Sequence, residues 1–139
     1  MAALRGEFAM EGYNQVIAKC FEMLAEEEVD FTELIYQVYL KDMPDVEQHV
    51  GYLDGRMKGR MLDQVYRLLM GEVDKDYLKF EVDTHKCYGA TLVRYEGLLR
   101  AVKMVFKTRL GARWSVLYES AWDESIAQII CDIEMRKTG

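Results

Sequence analysis

Few residues in this chain have side chains suited to chemistry beyond packing, and His85 is the first of them. It is one of two histidines and stands in the stretch THKCYGATLVRY, with Gly89 four and Tyr95 ten residues further on. A neutral imidazole can give one ring nitrogen to a metal while its other N–H is held by a backbone carbonyl one turn back. Phe80, Glu81 and Val82 lie at that distance. A histidine at a helix end also serves as a plain solvated side chain, and the residue alone does not choose between the two. Arg56, Arg60 and Gln64 form a second group, because i, i+4 spacing sets them on one line of a helix. Met57 and Met61 occupy the neighbouring stripe and read as the wall of a pocket. The polar line either reaches into that pocket or faces water. Tyr36 brings a phenolic hydroxyl to a position with interior spacing, either as a hydrogen-bond donor or as a packed ring.

Other chemistries find little support. The chain has no Gly-x-Gly-x-x-Gly, no phosphate-binding loop and no His-Glu-x-x-His. A net charge of -6 argues against nucleic acid, which needs a concentrated basic face. No apolar run approaches the roughly 18 residues of a membrane span, and MAALRGEFAMEG shows no export signal. Cys20, Cys87 and Cys131 are odd in number and far apart, so they form neither a disulfide framework nor a zinc pair. Three reduced thiols imply a reducing compartment, and the cytoplasm is the expected one.

The elements that must position these residues are helices. With 139 residues, half of them apolar, the chain has the length of one domain with one core. There is one proline and no sustained apolar/polar alternation. From Tyr13, the residues Val16, Ile17, Cys20, Phe21 and Leu24 share a helical stripe, which leaves residues 1–10 as a loose extension. A second helix starts near Asp30, a candidate N-cap with Glu33 three residues on. It buries Phe31, Leu34, Ile35, Val38 and Tyr39 and stops before Pro44. A third carries Leu53, Met57, Met61, Leu62, Val65, Leu68 and Leu69 and ends at Gly71. A shorter piece, DKDYLKFEVDTHK, holds His85. Tyr95, Leu98, Leu99, Val102, Val105 and Phe106 then define a long helix ending near Gly111. The last stripe, from Trp114 through Leu117, Tyr118, Ala121, Trp122, Ile126, Ile129 and Ile130 to Ile133, is the clearest in the chain. The fold class is all-α.

Several spacings together resemble the bacterial globins, both the single-domain haemoglobins and the haem domains of flavohaemoglobins. In that family a histidine at the end of a short helix is followed by glycine and tyrosine at the intervals of His85, Gly89 and Tyr95. An Ala-Trp pair stands early in its last helix, as Ala121 and Trp122 do here. FTELIYQVYLKDMPDV is similar to its second helix, with a tyrosine eight residues before a Pro-acid pair, here Tyr36 and Pro44-Asp45. The resemblance runs over roughly residues 11 to 137. The chain departs from the pattern in three places. Val50 stands where the family has a phenylalanine against the haem, the interval from Pro44 to His85 is shorter, and Lys137 takes the place of a late glutamate, with Glu134 a turn earlier.

The resemblance implies a globin-like helical fold over residues 1–139 and a haem b whose iron is held by His85. Tyr95 lies behind that histidine, either orienting it or packing in the core. Tyr36 would be the hydroxyl facing the gas, and Val50, Met57 and Met61 would wall the pocket. Arg60, Gln64 or Arg56 would be a second polar group there, and His49 a sixth ligand in a closed form. The implied function is reversible binding of O2, NO or CO in scavenging, carriage or sensing. Its partners would be that gas, with a separate reductase or a signalling partner, and a second copy of the chain is a further candidate. NO dioxygenase or peroxidase activity is a weaker reading. A different class of reading is a haem-free globin-fold module in a signalling pathway.

Overall fold

The computed structural model describes the backbone of residues 2–50, 53–72 and 92–138, and the side chains of residues 12–48, 53–72 and 92–134. The described backbone is helical, with no strand among these residues. Among the described residues the five long helices are α1 (Ala2–Ala25), α2 (Thr32–Asp42), α3 (Gly55–Leu69), α4 (Leu92–Leu110) and α5 (Val116–Thr138). The first begins at Ala2, in the stretch expected to be a loose extension, and not at Tyr13. Only the part from Tyr13 onward carries the apolar stripe, so periodicity could not mark its true start. No described helix is long and apolar enough to cross a membrane.

Local chemistry sets the ends of these helices. Asp30 Oδ1 accepts from the backbone N–H and the hydroxyl of Thr32, at 2.9 and 2.6 Å. That turn sets the first helical residue at Thr32, two places later than the expected cap. Glu33 points instead toward Lys58, 3.8 Å away on α3, so the expected capping box is not formed. At the other end Met43, just before Pro44, has left helical geometry (φ -133°, ψ 73°), as a residue preceding proline must. A single 3-10 turn, Pro44–Val46, and a short helical turn, Glu47–Val50, follow.

Helix α3 is bounded at both ends by side-chain or backbone caps. Asp54 is its N-cap and accepts from the Met57 N–H at 2.9 Å. At its C-terminus Gly71, with φ +73°, donates to Leu68 O while Glu72 N–H donates to Arg67 O. This paired arrangement needs a left-handed residue, which glycine supplies without steric cost. Ser115 starts α5, its Oγ accepting from Tyr118 N–H at 3.2 Å. Trp114 therefore lies just outside the helix that its spacing seemed to join.

The helices pack in pairs. α2 lies mainly on α4, α1 on α5, and α4 on α5, while α3 touches α2 and α5. The α2–α4 crossing is close because of Gly97: a Cβ there would fall on Met43 Sδ and come within 3.2 Å of the Tyr39 ring. On the other side, α5 buries Ala121, Trp122, Ser125, Ile126, Ile129 and Ile133. The expected stripe is thus correct from Ala121 onward, whereas Leu117 is 56% exposed. Leu117 lies in the first turn of α5, where no described helix covers it. Leu34 on α2 is likewise 40% exposed and not part of the core.

Trp122, fully buried, is the centre of an aromatic cluster. Phe106 lies 5.2 Å from it, Phe21 and Trp114 each 6.1 Å, and Phe21 packs edge-on to Phe106 at 4.7 Å. Such offset and edge contacts stabilise beyond simple area burial. The Trp122 indole N–H has no oxygen or nitrogen acceptor among the described residues; its neighbour is the buried Cys20 thiol. Burial pushes that thiol's pKa up, partly offset by the contact with Trp122.

Candidate functional site

Tyr36 is the residue around which a site can be built. It lies in the middle of α2, 1% exposed, and its hydroxyl donates to Met61 Sδ on α3 at 3.7 Å. The side of its ring packs against Tyr39 at 6.2 Å, and Lys58 Nζ lies 5.3 Å from the ring centroid. Burial, and then the neighbouring Tyr39, hold its hydroxyl well above the ordinary tyrosine pKa. It is therefore a neutral donor at any physiological pH. The sequence reading named Tyr36 and Met61 separately, and the fold brings them together.

Tyr39, one turn later on the same helix, is bonded differently. Its hydroxyl donates to the Arg94 carbonyl oxygen at 3.0 Å, tying α2 to α4. Burial pushes its pKa up to about 12, with the Arg94 charge opposing the rise. Arg94 also meets Asp45 at 3.3 Å. Tyr95, the next residue on α4, is half-buried with its hydroxyl oxygen shielded from solvent. It packs against the core, as one of its two expected roles requires.

The rest of the expected constellation is scattered. Met57, expected on the pocket wall, is 46% exposed. It belongs to the first turn of α3, where little packs on that face. Arg56 and Arg60 are exposed and Gln64 is half-buried. The two arginines line a different place, an open cleft of about 430 Å³ between the end of α1, the α1–α2 connection and α3. Tyr36 and Met61 do not line it. His85 and Gly89 lie outside the described residues, as do the side chains of His49 and Val50. The backbone of His49 and Val50 belongs to the helical turn after Pro44 and not to a loop. Among the described residues no three of His, Cys, Asp and Glu gather as they would around a metal ion.

Sequence reasoning missed the cleft. Phe21, Leu24, Phe31 and Phe106 form its apolar lining, with Asp30, Thr32, Gly59, Asp63 and Tyr66 around them. Burial first, and then the charges of Asp30 and Asp63, push the Tyr66 hydroxyl up to about 12. One signal was readable beforehand: Gly59 inside the helical run GRMKGRM is a poor helix former with no capping role.

A second polar cluster joins α4 to α5. Lys103 Nζ bonds Asp123 at 2.6 Å and Glu119 at 2.9 Å, while Trp114 Nε1 donates to Glu119 at 2.8 Å. Lys107 adds a contact to Glu119 at 3.3 Å. The Lys103 bond, then the Trp114 bond, lower the Glu119 pKa to about 2. For Lys103, burial alone would lower the pKa, and its two carboxylate partners reverse that, so the net shift is upward. All of these groups are engaged with one another, which marks the cluster as a fastening between helices.

No protein-family model matches the chain, and no curated protein sequence matches it.

Proposed function

We propose that this chain is a haem-binding protein of the globin type that reversibly binds a diatomic gas, with His85 as the axial ligand. The observation that supports it is the poor acceptor of Tyr36. A buried tyrosine hydroxyl ordinarily finds an oxygen or nitrogen partner, as Tyr39 does one turn away. Tyr36 instead meets thioether sulfur, a weak acceptor, at 3.7 Å. Such a donor is held in place yet keeps most of its hydrogen-bonding capacity for something stronger. Met61 is half-buried and has three rotatable bonds, so it can withdraw. The pairwise crossing of the helices, with α2 on α4 and α1 on α5, suits a fold of this type.

In this reading His85 would hold the haem, Tyr95 would pack behind that histidine, and Met61 and Val50 would line the gas side. A bound haem supplies the iron at which the gas is taken up. Tyr36 contributes a neutral O–H donor that favours gases carrying partial negative charge, and the apolar surroundings keep water away from it. Arg60 does not serve here, since it lines the separate cleft.

The test is the absorption spectrum of protein expressed with ample haem, with and without dithionite and CO. We expect a haem spectrum in the wild-type chain and its loss in His85→Ala, with helix content retained. Full haem retention by His85→Ala removes that residue from the role. Tyr36→Phe should then speed oxygen release roughly 10- to 150-fold, equivalent to about 1.5–3 kcal/mol, and change CO release far less. Equal small effects on both gases would make Tyr36 a packing residue. A second reading has one observation in its favour: Met61 already fills the place in front of Tyr36, as it would in a haem-free signalling module. A colourless protein after haem supply would select that reading.

A further inference from the structure

We propose that the cleft between α1 and α3 is a binding site for a small amphipathic anion, an apolar or aryl body carrying a carboxylate. This inference is independent of the haem reading, since neither Tyr36 nor Met61 lines the cleft. Its volume of about 430 Å³ is within the range of small-molecule sites, roughly 300–1,000 Å³. The apolar floor is Phe21 with the outer edges of Leu24, Phe31 and Phe106, which are otherwise buried in the core, so the ligand body would lie across it.

Charge decides the head group. Arg56 and Arg60 stand one turn apart on α3 at the mouth, and neither has a carboxylate partner among the described residues. Arg94, Arg100, Arg109 and Arg113 are paired, and Arg67, likewise without an ion pair among the described residues, does not line the cleft. Two neighbouring guanidinium groups without partners form a fork suited to a carboxylate. They lie in the first two turns of α3, where the positive end of the helix dipole adds to the attraction. Asp30 and Asp63 also line the cleft and bring two negative charges to it, but neither carboxylate occupies the arginines. Asp30 is committed to Thr32 through two hydrogen bonds. Asp63 stands three residues after Arg60 on α3, beside Tyr66, and makes no ion pair with either arginine among the described residues. Gly59 lies between Arg56 and Arg60 in the chain and also lines the cleft, and a Cβ there would enter open space, with nothing within 4 Å. A glycine in a helix interior costs about 1 kcal/mol against alanine, and this one leaves open the space the ligand body would fill.

The experiment is an amide NMR titration of the full chain with 4-phenylbutyrate, alongside the neutral 4-phenylbutan-1-ol and the cationic 4-phenylbutylamine. Saturable shifts should centre on residues 56–66 and 21–32, with a dissociation constant of about 2 mM or tighter, as about twelve heavy atoms at ordinary ligand efficiency give. The alcohol should bind at least about tenfold more weakly, because the charge-assisted bonds are lost, and the amine should not bind. Arg56→Gln/Arg60→Gln should weaken 4-phenylbutyrate by a similar factor. Gly59→Leu should abolish binding while the thermal midpoint stays level or rises. Four results would each overturn the proposal: no saturation by about 10 mM, equal binding of the amine, shifts centred elsewhere, or indifference to both variants. The double arginine variant changes only exposed side chains, so its result stands even if Gly59→Leu fails to fold.

Discussion

Trp122 and Tyr36 both bury a polar hydrogen beside sulfur, unbonded in the first case and weakly bonded in the second, and the two sites differ in what surrounds them. Trp122 faces Cys20, itself fully buried, and is walled by Phe21, Phe106 and Trp114. Tyr36 faces Met61, a half-buried, flexible side chain on a neighbouring helix. The first contact cannot open without dismantling the α1–α4–α5 core. The second opens when one side chain turns. An indole N–H without an acceptor is thus tolerated in a sealed place because packing supplies the stability, and in an openable place a weak bond leaves the donor ready for another acceptor.

The comparison breaks first at Trp122. Trp122→Ala should cost about 3–5 kcal/mol, the usual range for emptying an aromatic core position, measured by urea unfolding. A loss below about 1 kcal/mol would mean that the core relaxes around the cavity and is no more rigid than the Tyr36 side.

The charge cluster at the Trp114 edge of that core gives a smaller effect with a pH signature. Glu119 has its pKa lowered to about 2, below its ordinary 4.5. A lowered acid stabilises the fold fully above the ordinary value and loses that contribution as pH falls through 4.5 toward 2. The Glu119 side chain is 37% exposed, so solvent screening reduces the contribution to about 1 kcal/mol. Glu119→Gln should be less stable than wild type by that amount at pH 7, and the difference should vanish near the acid end. A difference independent of pH would show that Glu119 acts through shape and not through charge.

The smallest effects sharpen the contrast between the two tyrosines of α2. Tyr39→Phe removes a 3.0 Å bond to the Arg94 carbonyl and should cost about 1 kcal/mol. Tyr36→Phe removes only a contact to sulfur and should cost less than about 0.5 kcal/mol. If Tyr36→Phe proves the more destabilising in chemical unfolding, its hydroxyl is structural and not held in reserve.

Much of the fold was legible in the sequence for reasons visible in particular residues. Trp122, Ile126, Ile129 and Ile133 repeat at helical spacing and all face the core. Pro44 stops α2, and Gly71 and Gly111 stop α3 and α4, because each changes the backbone itself. The stripe failed at helix ends, where Leu34, Met57 and Leu117 have the right spacing but no neighbouring helix to cover them. The meeting of Tyr36 with Met61 was not legible, since it depends on how α2 lies across α3. Nor was the cleft, whose lining comes from α1, the turn after it, α3 and α4 together. The expected pocket also needs residues beyond those described, His85 above all.

Gly97 has a consequence for how this sequence can vary. Its missing side chain is shared space: Tyr39 on α2 and Met43 just past the end of α2 both press on it. Positions 39, 43 and 97 are therefore one unit of variation. In a library randomising all three, larger residues at 97 should be recovered with shorter ones at 43, and seldom with the native pair. A chain drifting in sequence would have to change α2 and α4 in step, so the crossing should be among the slowest parts of the molecule to diverge.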